Sequence, residues 1–130
     1  MLKILRVIPF YAPAYGYGGP VVHSENLSKI QASMGLDVRV FTSNILTHDQ
    51  ISKELPRFEI SDQVKIHRFP IRYRLGTSHY FITPSLPLAF FKYDYDIIHT
   101  HSLRTFQTHT ATLMSKIRKK PLVFTAHGTL

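Results

Sequence analysis

The feature that most constrains the fold is an apolar segment that runs into a glycine-rich loop and then into an amphipathic segment. Residues 2–9 are almost continuously apolar, which is typical of a parallel strand buried on both faces. The loop at 15–20 has the sequence Tyr-Gly-Tyr-Gly-Gly-Pro, and its proline suits the first turn of a helix. Residues 21–34 follow as a predicted helix. Its apolar positions are Leu27, Ile30 and Met34.

The rest of the chain alternates between strand and helix patterns. Four further strands are predicted at 37–42, 64–69, 96–101 and 122–126. A short apolar helix is predicted at 84–91, and a longer helix is predicted to start from an N-cap at Ser102. The apolar face of that longer helix is predicted to contain Leu103, Phe106, Thr110, Leu113, Met114 and Ile117. The polar stretch at 44–62 is predicted to be mostly loop, and residues 70–82 show no clear period.

These elements predict one α/β domain over residues 1–130, with a Rossmann-like, doubly wound sheet that is mainly parallel. Right-handed crossovers favour the order 3-2-1-4-5 for the five predicted strands, with helices on both faces. Ligands of such sheets bind at the carboxyl ends of the strands, where the strand order reverses. That point lies between the first and fourth strands. It brings the glycine loop beside His99 and His101, with His127 on the same edge of the sheet.

The glycine loop is a candidate anion site, because paired glycines let a backbone approach a ligand and a helix N-terminus attracts negative charge. Two familiar phosphate motifs are excluded. The chain lacks the Gly-Lys-Ser/Thr tripeptide of a P-loop. Gly16, Gly18 and Gly19 lack the spacing of the dinucleotide fingerprint, and residues 41–44 offer no carboxylate for a ribose. A nicotinamide-dependent dehydrogenase is therefore not expected.

The formal net charge of +8 at pH 7 favours polyanionic partners. No apolar stretch approaches the ~20 residues of a membrane-spanning helix, so we expect a cytoplasmic protein, soluble or peripheral at the inner face of the membrane. Bases and aromatic side chains alternate around Arg72, Tyr73 and Arg74. That segment is interpreted as a surface for an anionic membrane or an acceptor, or as a loop packed on the domain. Single-stranded nucleic acid is the least favoured partner.

Two histidines are the strongest candidates for chemistry in side chains. His99 and His101 lie two residues apart on a predicted strand, so both are expected on one face of the sheet. With His127 they would supply three nitrogens to a metal ion. No carboxylate or cysteine completes such a set, so we predict no metal site. We favour His99 as a packed or hydrogen-bonded residue and His101 as the one that faces a ligand cleft.

Five segments share their order and spacing with one known family. They are the strand at 3–9, the loop at 17–20, the helix end and strand at 34–40, and the segments 94–102 and 121–128. In these segments the chain resembles the N-terminal domain of a GT-B-fold glycosyltransferase of family 4, whose members are retaining enzymes that use nucleotide sugars. The central stretch, 44–93, carries no part of the resemblance.

The resemblance implies roles for four residues. Gly18 and Gly19 match the glycines that pack against the donor diphosphate, and His101 matches the active-site histidine that reaches a hydroxyl of the donor sugar. His127 matches a histidine near the acceptor side. No bound cofactor is implied, because the nucleotide diphosphate sugar is a substrate. The absence of convergent carboxylates also gives no support to a glycosidase mechanism.

The resemblance further implies a C-terminal donor-binding domain, which this sequence does not contain. We therefore expect an acceptor-binding domain that is inactive alone and that acts on a glycan or a lipid-linked acceptor, as in polysaccharide biosynthesis. The alternative is a non-catalytic binding or assembly module that pairs with a separate domain or an anionic membrane surface. Apolar cleft surface left exposed on a lone domain would favour a homodimer.

Overall fold

A computed structural model of the chain describes residues 1–47, 50–52, 54–75, 80–101 and 105–125. The strands within these residues are β1 Lys3–Val7, β2 Asp37–Ser43, β3 Ile45–Thr47, β4 Gln50–Ile51, β5 Phe58–Ser61, β6 Val64–Phe69, β7 Tyr73–Leu75, β8 Tyr80–Ile82, β9 Ile97–His101 and β10 Leu122–Thr125. The helices are α1 Gly19–Ser33, α2 Leu86–Ala89 and α3 Phe106–Arg118. A 3₁₀ turn at Tyr15–Tyr17 precedes α1.

The main sheet has six strands in the order β10-β9-β1-β2-β6-β5. Its first five strands pair in parallel, and β5 adds an antiparallel strand at one edge. The predicted order 3-2-1-4-5 and the α/β class are therefore confirmed. The carboxyl ends of β1 and β9 lie side by side, because Val7 pairs with Thr100. This places the loop after β1 beside the end of β9.

The central stretch of the chain is more structured than predicted. β5 lies within the segment predicted to be mostly loop, and the hairpins β3–β4 and β7–β8 occupy segments that show no periodic pattern. These strands are short, and the alternation of β5 is between exposed and half-buried side chains. A segment without a fully buried face shows no strong hydrophobic period, so its strands cannot be predicted from the sequence pattern.

Two hydrophobic clusters cover the two faces of the sheet, which confirms helices on both sides. One cluster lies under α1 and includes Val21, Val38 and Val40. The other lies under α2 and α3 and includes Phe41 and Ile98. Burial of apolar side chains on both faces stabilises the parallel strands.

The predicted face of α1 is wrong. Its buried side chains are Val21, Ser24, Ser28 and Ala32, whereas Ile30 is 58% exposed and Met34 is 71% exposed. The reason is that the sheet places a charged side chain against this face of the helix. Arg6 points from β1 toward α1 and donates a hydrogen bond to the hydroxyl of Ser28 at 2.6 Å. Small and hydroxyl-bearing residues fit against that guanidinium better than large apolar ones.

Helix α3 begins later than predicted. Thr105 is its N-cap, with its side-chain oxygen accepting from the backbone N–H of Thr108 at 3.1 Å. The predicted cap, Ser102, lies outside the described residues, as does Leu103. Thr110 and Met114 are buried as predicted, but Leu113 and Ile117 are more than half exposed.

None of the helices among the described residues combines the length and the apolar run that a membrane crossing requires.

Candidate functional site

The loop between β1 and α1 is docked on the carboxyl edge of the sheet at two points. Ser43, at the end of β2, donates its hydroxyl to the carbonyl of Pro9 at 2.5 Å. Arg68 of β6 donates from Nη2 to the carbonyl of Ala12 at 2.9 Å. Farther along, the rings of Phe10 and Tyr17 stack with centroids 4.3 Å apart. These contacts fix the loop before it reaches the paired glycines.

The backbone at the glycines has the conformation and the space that a ligand contact needs. Gly18 is the N-cap of α1 and has φ +80° and ψ −139°, a region that side chains with a Cβ rarely adopt. A Cβ added at Gly18 or Gly19 would meet nothing within 4 Å. Both glycines are exposed, so open space lies beside the start of the helix.

The start of α1 offers fewer free donors than a typical helix. The N–H groups of Val21 and Val22 both donate to the carbonyl of Gly18, at 3.2 and 3.3 Å. Pro20 has no N–H. Among the described residues, the N–H of Gly19 has no acceptor, so it is the donor that remains for an anion, together with the positive end of the helix dipole.

Three histidines lie together between β9 and α1. The rings of His99 and His101 are 4.2 Å apart at their centroids, as their predicted common face requires. The ring of His23, in the first turns of α1, lies edge-on to His101 at 6.4 Å. His23 was not among the site residues predicted from the sequence. Its position four residues after Gly19 was the available signal, because one helical turn separates it from the glycine loop.

A buried arginine holds one of these histidines in place. Arg6 is fully buried and donates from Nη1 to Ser28 at 2.6 Å and from Nη2 to Gln31 at 2.7 Å. Its Nε donates to Nδ1 of His99 at 3.3 Å. Among the described residues no carboxylate forms an ion pair with Arg6. Burial of this unpaired cation lowers the pKa of Arg6 from 12.5 to about 10.

The arginine also fixes the tautomer of His99. A guanidinium can only donate, so Nδ1 of His99 accepts and the ring proton lies on Nε2. Nε2 then donates to the hydroxyl of Thr125 on β10 at 2.7 Å. Because both ring nitrogens are engaged, His99 has no lone pair for a metal ion. Within the described residues, no three histidines or carboxylates gather as a metal site.

His101 is more enclosed than we predicted. It has no exposed surface, and its backbone carbonyl accepts from the hydroxyl of Thr108 at 3.3 Å. Its predicted contact with a ligand stays a prediction. Its neighbours at 102–104 lie outside the described residues, and so does His127, whose predicted place on the same edge stays a prediction.

The candidate surface at Arg72, Tyr73 and Arg74 divides into separate environments. Arg72 is exposed and lines a pocket with Arg57 and Arg68. Tyr73 is 66% exposed. The guanidinium of Arg74 lies over the ring of Phe81, 5.2 Å from its centroid. The three neighbours therefore do not form one uniform patch.

A second arginine–histidine pair lies on the opposite face of the sheet. Arg39 donates from Nη1 to Nε2 of His67 at 2.6 Å and places its guanidinium over the ring of Tyr93 at 4.2 Å. The ring of His67 packs against Phe41 and Phe58. Burial, together with the positive charges of Arg39 and Lys65, lowers the pKa of His67 from 6.5 to about 4.

Comparison with known proteins places most of the chain in one family. The family model described as Glycosyltransferase Family 4 matches residues 17–130. This range includes Gly18 and Gly19 of the glycine loop, β9 and the segment after β10. No curated protein matches the chain.

Proposed function

The chain belongs to glycosyltransferase family 4, and we propose that it forms the acceptor-side domain of a retaining enzyme with the GT-B architecture. The reaction transfers a sugar from a nucleotide diphosphate sugar to a hydroxyl of a glycan or a lipid-linked acceptor. A second domain supplies most of the donor site and closes over the carboxyl edge of this sheet. The domain acts in the cytoplasm, where nucleotide sugars are made.

The glycine loop is the observation that carries this proposal. It lies where the strand order reverses between β1 and β9, which is the usual ligand position in such sheets. Gly18 takes a left-handed backbone, and the space beside Gly19 is open. A diphosphate can therefore approach the main chain closely, as the family's donors do.

The proposed chemical role of this loop is to stabilise the leaving diphosphate. Negative charge grows on the phosphate oxygens as the glycosidic bond to the donor breaks. The N–H of Gly19 and the dipole of α1 are fixed in advance, so they favour that charge without reorganising. His101 lies on the neighbouring strand and is the candidate to contact a sugar hydroxyl.

A titration with nucleoside diphosphates tests the loop. UDP and GDP are added in turn to the isotope-labelled protein, and backbone amide shifts are followed by NMR. The Gly19→Ala variant should bind about tenfold more weakly, a loss of about 1.4 kcal/mol, because its methyl group enters the ligand space. Its own fold should be unaffected, since the added Cβ meets no protein atom.

Gly16→Ala is the matched control. Gly16 lies in the same loop, and a Cβ there also meets nothing within 4 Å. It should bind the nucleotide as the natural protein does. If neither nucleotide shifts the amides of Gly18 to Val22, or if the two variants bind equally, the diphosphate assignment is wrong.

His101→Ala tests the catalytic assignment once the donor-binding domain is present. Sugar transfer should fall by at least about a hundredfold, the lower range for loss of a positioned catalytic group. Nucleotide binding measured at Gly19 should be retained. Transfer at the natural rate would remove His101 from the mechanism.

A further inference from the structure

A concave basic pocket lies at the carboxyl ends of β2 and β6. Its volume is about 320 Å³, at the small end of the range for ligand sites, ~300–1,000 Å³. Arg57, Arg68 and Arg72 line it, with Asn44, Ser52 and four apolar side chains. None of the described residues that line it is acidic. From the sequence, Arg72 was predicted only as part of a surface, and Arg57 had no predicted role.

Hydrogen bonds tie the walls of this pocket together. Asn44 accepts the N–H of Ile71 on its side-chain oxygen at 3.1 Å and the N–H of Ser52 on its carbonyl at 2.9 Å. Arg68 donates its own N–H to the carbonyl of Arg57 at 2.7 Å. The segments that carry Arg57 and Arg72 are thus held in place before any ligand binds, which lowers the entropy cost of binding.

The three arginines differ in whether a nearby carboxylate compensates their positive charge. Arg68 is only 4% exposed and forms an ion pair with Glu59 at 2.6 Å, so its charge is compensated within the domain. Arg57 and Arg72 are exposed, and among the described residues neither forms an ion pair. Two uncompensated guanidinium groups at one concave pocket favour an anion that accepts several parallel hydrogen bonds.

We propose that this pocket binds a phosphate group, with Arg57 and Arg72 as its ligands. Phosphate suits it because guanidinium groups match the spacing of phosphate oxygens. The apolar walls suit the sugar or linker that bears the phosphate. The assignment of that phosphate to the acceptor rests on the proposed function. The binding itself does not.

The position of the pocket supports an acceptor rather than a remote ligand. Arg68 contacts the carbonyl of Ala12, in the loop that leads to Gly18. Arg68 therefore links the wall of the pocket to the chain that leads into the glycine loop. A phosphate held by Arg57 and Arg72 would place an attached hydroxyl on the same edge of the sheet as the donor.

The test is an NMR titration with two sources of phosphate at constant ionic strength. Glucose 1-phosphate is the soluble source, and vesicles of phosphatidylglycerol and phosphatidylcholine carry the lipid-borne source. The variants are Arg57→Gln and Arg72→Gln. The matched control is Arg74→Gln. Arg74 lies two residues from Arg72, and its guanidinium stacks on the ring of Phe81, so this variant removes the same charge at a neighbouring position.

Glucose 1-phosphate or the vesicles should shift the amides of Asn44 and Ile71. Binding should weaken about tenfold in either pocket variant and stay within twofold of the natural protein in Arg74→Gln. Whichever phosphate source shows this pattern is the one the pocket accepts.

Two results would overturn the proposal. One is that neither source shifts Asn44 or Ile71. The other is vesicle binding that falls equally in Arg72→Gln and Arg74→Gln, which would show a diffuse membrane-facing surface instead. Failure here is distinct from failure at the glycine loop, because nucleotide binding there is followed on the amides of Gly18 to Val22.

Discussion

The two arginine–histidine pairs lie on opposite faces of one sheet, yet their surroundings differ in kind. Arg6 and His99 lie under α1 in a polar network completed by Ser28, Gln31 and Thr125. Arg39 and His67 lie on the other face among aromatic rings. Each arginine donates to a ring nitrogen, so the same donor–acceptor pair is embedded once in hydroxyls and amides and once in aromatic side chains.

The difference shows what each pair does for the domain. The network around Arg6 connects β1, α1, β9 and β10, and His99 lies 4.2 Å from His101. It therefore fixes the elements that carry the candidate site. The pair around Arg39 connects β2 and β6 through packing, away from that site. We expect the first pair to respond strongly to loss of a hydrogen-bonding partner and the second to respond to pH.

The largest effect should come from removing the buried cation. Arg6→Met leaves acceptors on Ser28, Gln31 and His99 without their donor, and each buried polar group left unsatisfied costs about 1–3 kcal/mol. Arg39→Met should cost about 1 kcal/mol, because Arg39 is only half-buried. Urea unfolding of both variants measures the difference. Equal losses of unfolding free energy would show that the two pairs contribute alike to stability.

The next effect is a pH dependence that belongs to His67. Its folded pKa of about 4 is below the unfolded value of 6.5, so the unfolded chain binds more protons between these values. Stability should therefore fall as the pH is lowered from 6.5 to 4, by about 3 kcal/mol in all. Unfolding followed across this range measures the slope.

His67→Phe should flatten that slope, since phenylalanine fits the aromatic surroundings and does not titrate. His109→Gln, which removes an exposed histidine of α3 instead, is the matched control. A slope that survives His67→Phe would assign the acid sensitivity to other groups.

The smallest effect should come from the far end of the polar network. Thr125→Val keeps the shape of the side chain but removes the acceptor for Nε2 of His99, which should cost about 1 kcal/mol. The Nε2 proton of His99 should then exchange faster with water, as NMR would detect. Thr112→Val, which removes a hydroxyl that donates to the carbonyl of Thr108 within its own helix, should leave that proton unchanged.

The parts of the fold predicted from sequence are those governed by strong apolar patterns. β1, β2, β6, β9 and β10 are apolar or alternating, so their existence and order followed from the period and from crossover rules. The face of α1 was predicted wrongly and that of α3 only in part, because Ser28 and Thr108 are buried for their hydrogen bonds rather than for their hydrophobicity.

The sequence indicated a candidate site only where the main chain itself is unusual. Gly18 and Gly19 were singled out because a paired glycine between a strand and a helix has few structural explanations. The role of Arg6 was not visible, since an arginine inside an apolar strand has no partner nearby in sequence. The pocket at Arg57 and Arg72 is formed by segments that are fifteen residues apart in sequence. The sequence of this region shows no periodic pattern, so it did not predict that the fold would bring them together.

Arg68 has a consequence for how this domain can be re-engineered. Its single guanidinium bonds the carbonyls of Ala12 and Pro56 and the carboxylate of Glu59, so it joins the glycine loop to the segment before β5. A chimera that exchanges residues 44–62 for those of another transferase would import a new pocket wall. The glycine loop would keep its place in such a chimera only if the grafted segment again offered Arg68 a carbonyl and a carboxylate as acceptors. Any exchange of this segment must therefore preserve these partners of Arg68 if the loop between β1 and α1 is to keep its place on the sheet.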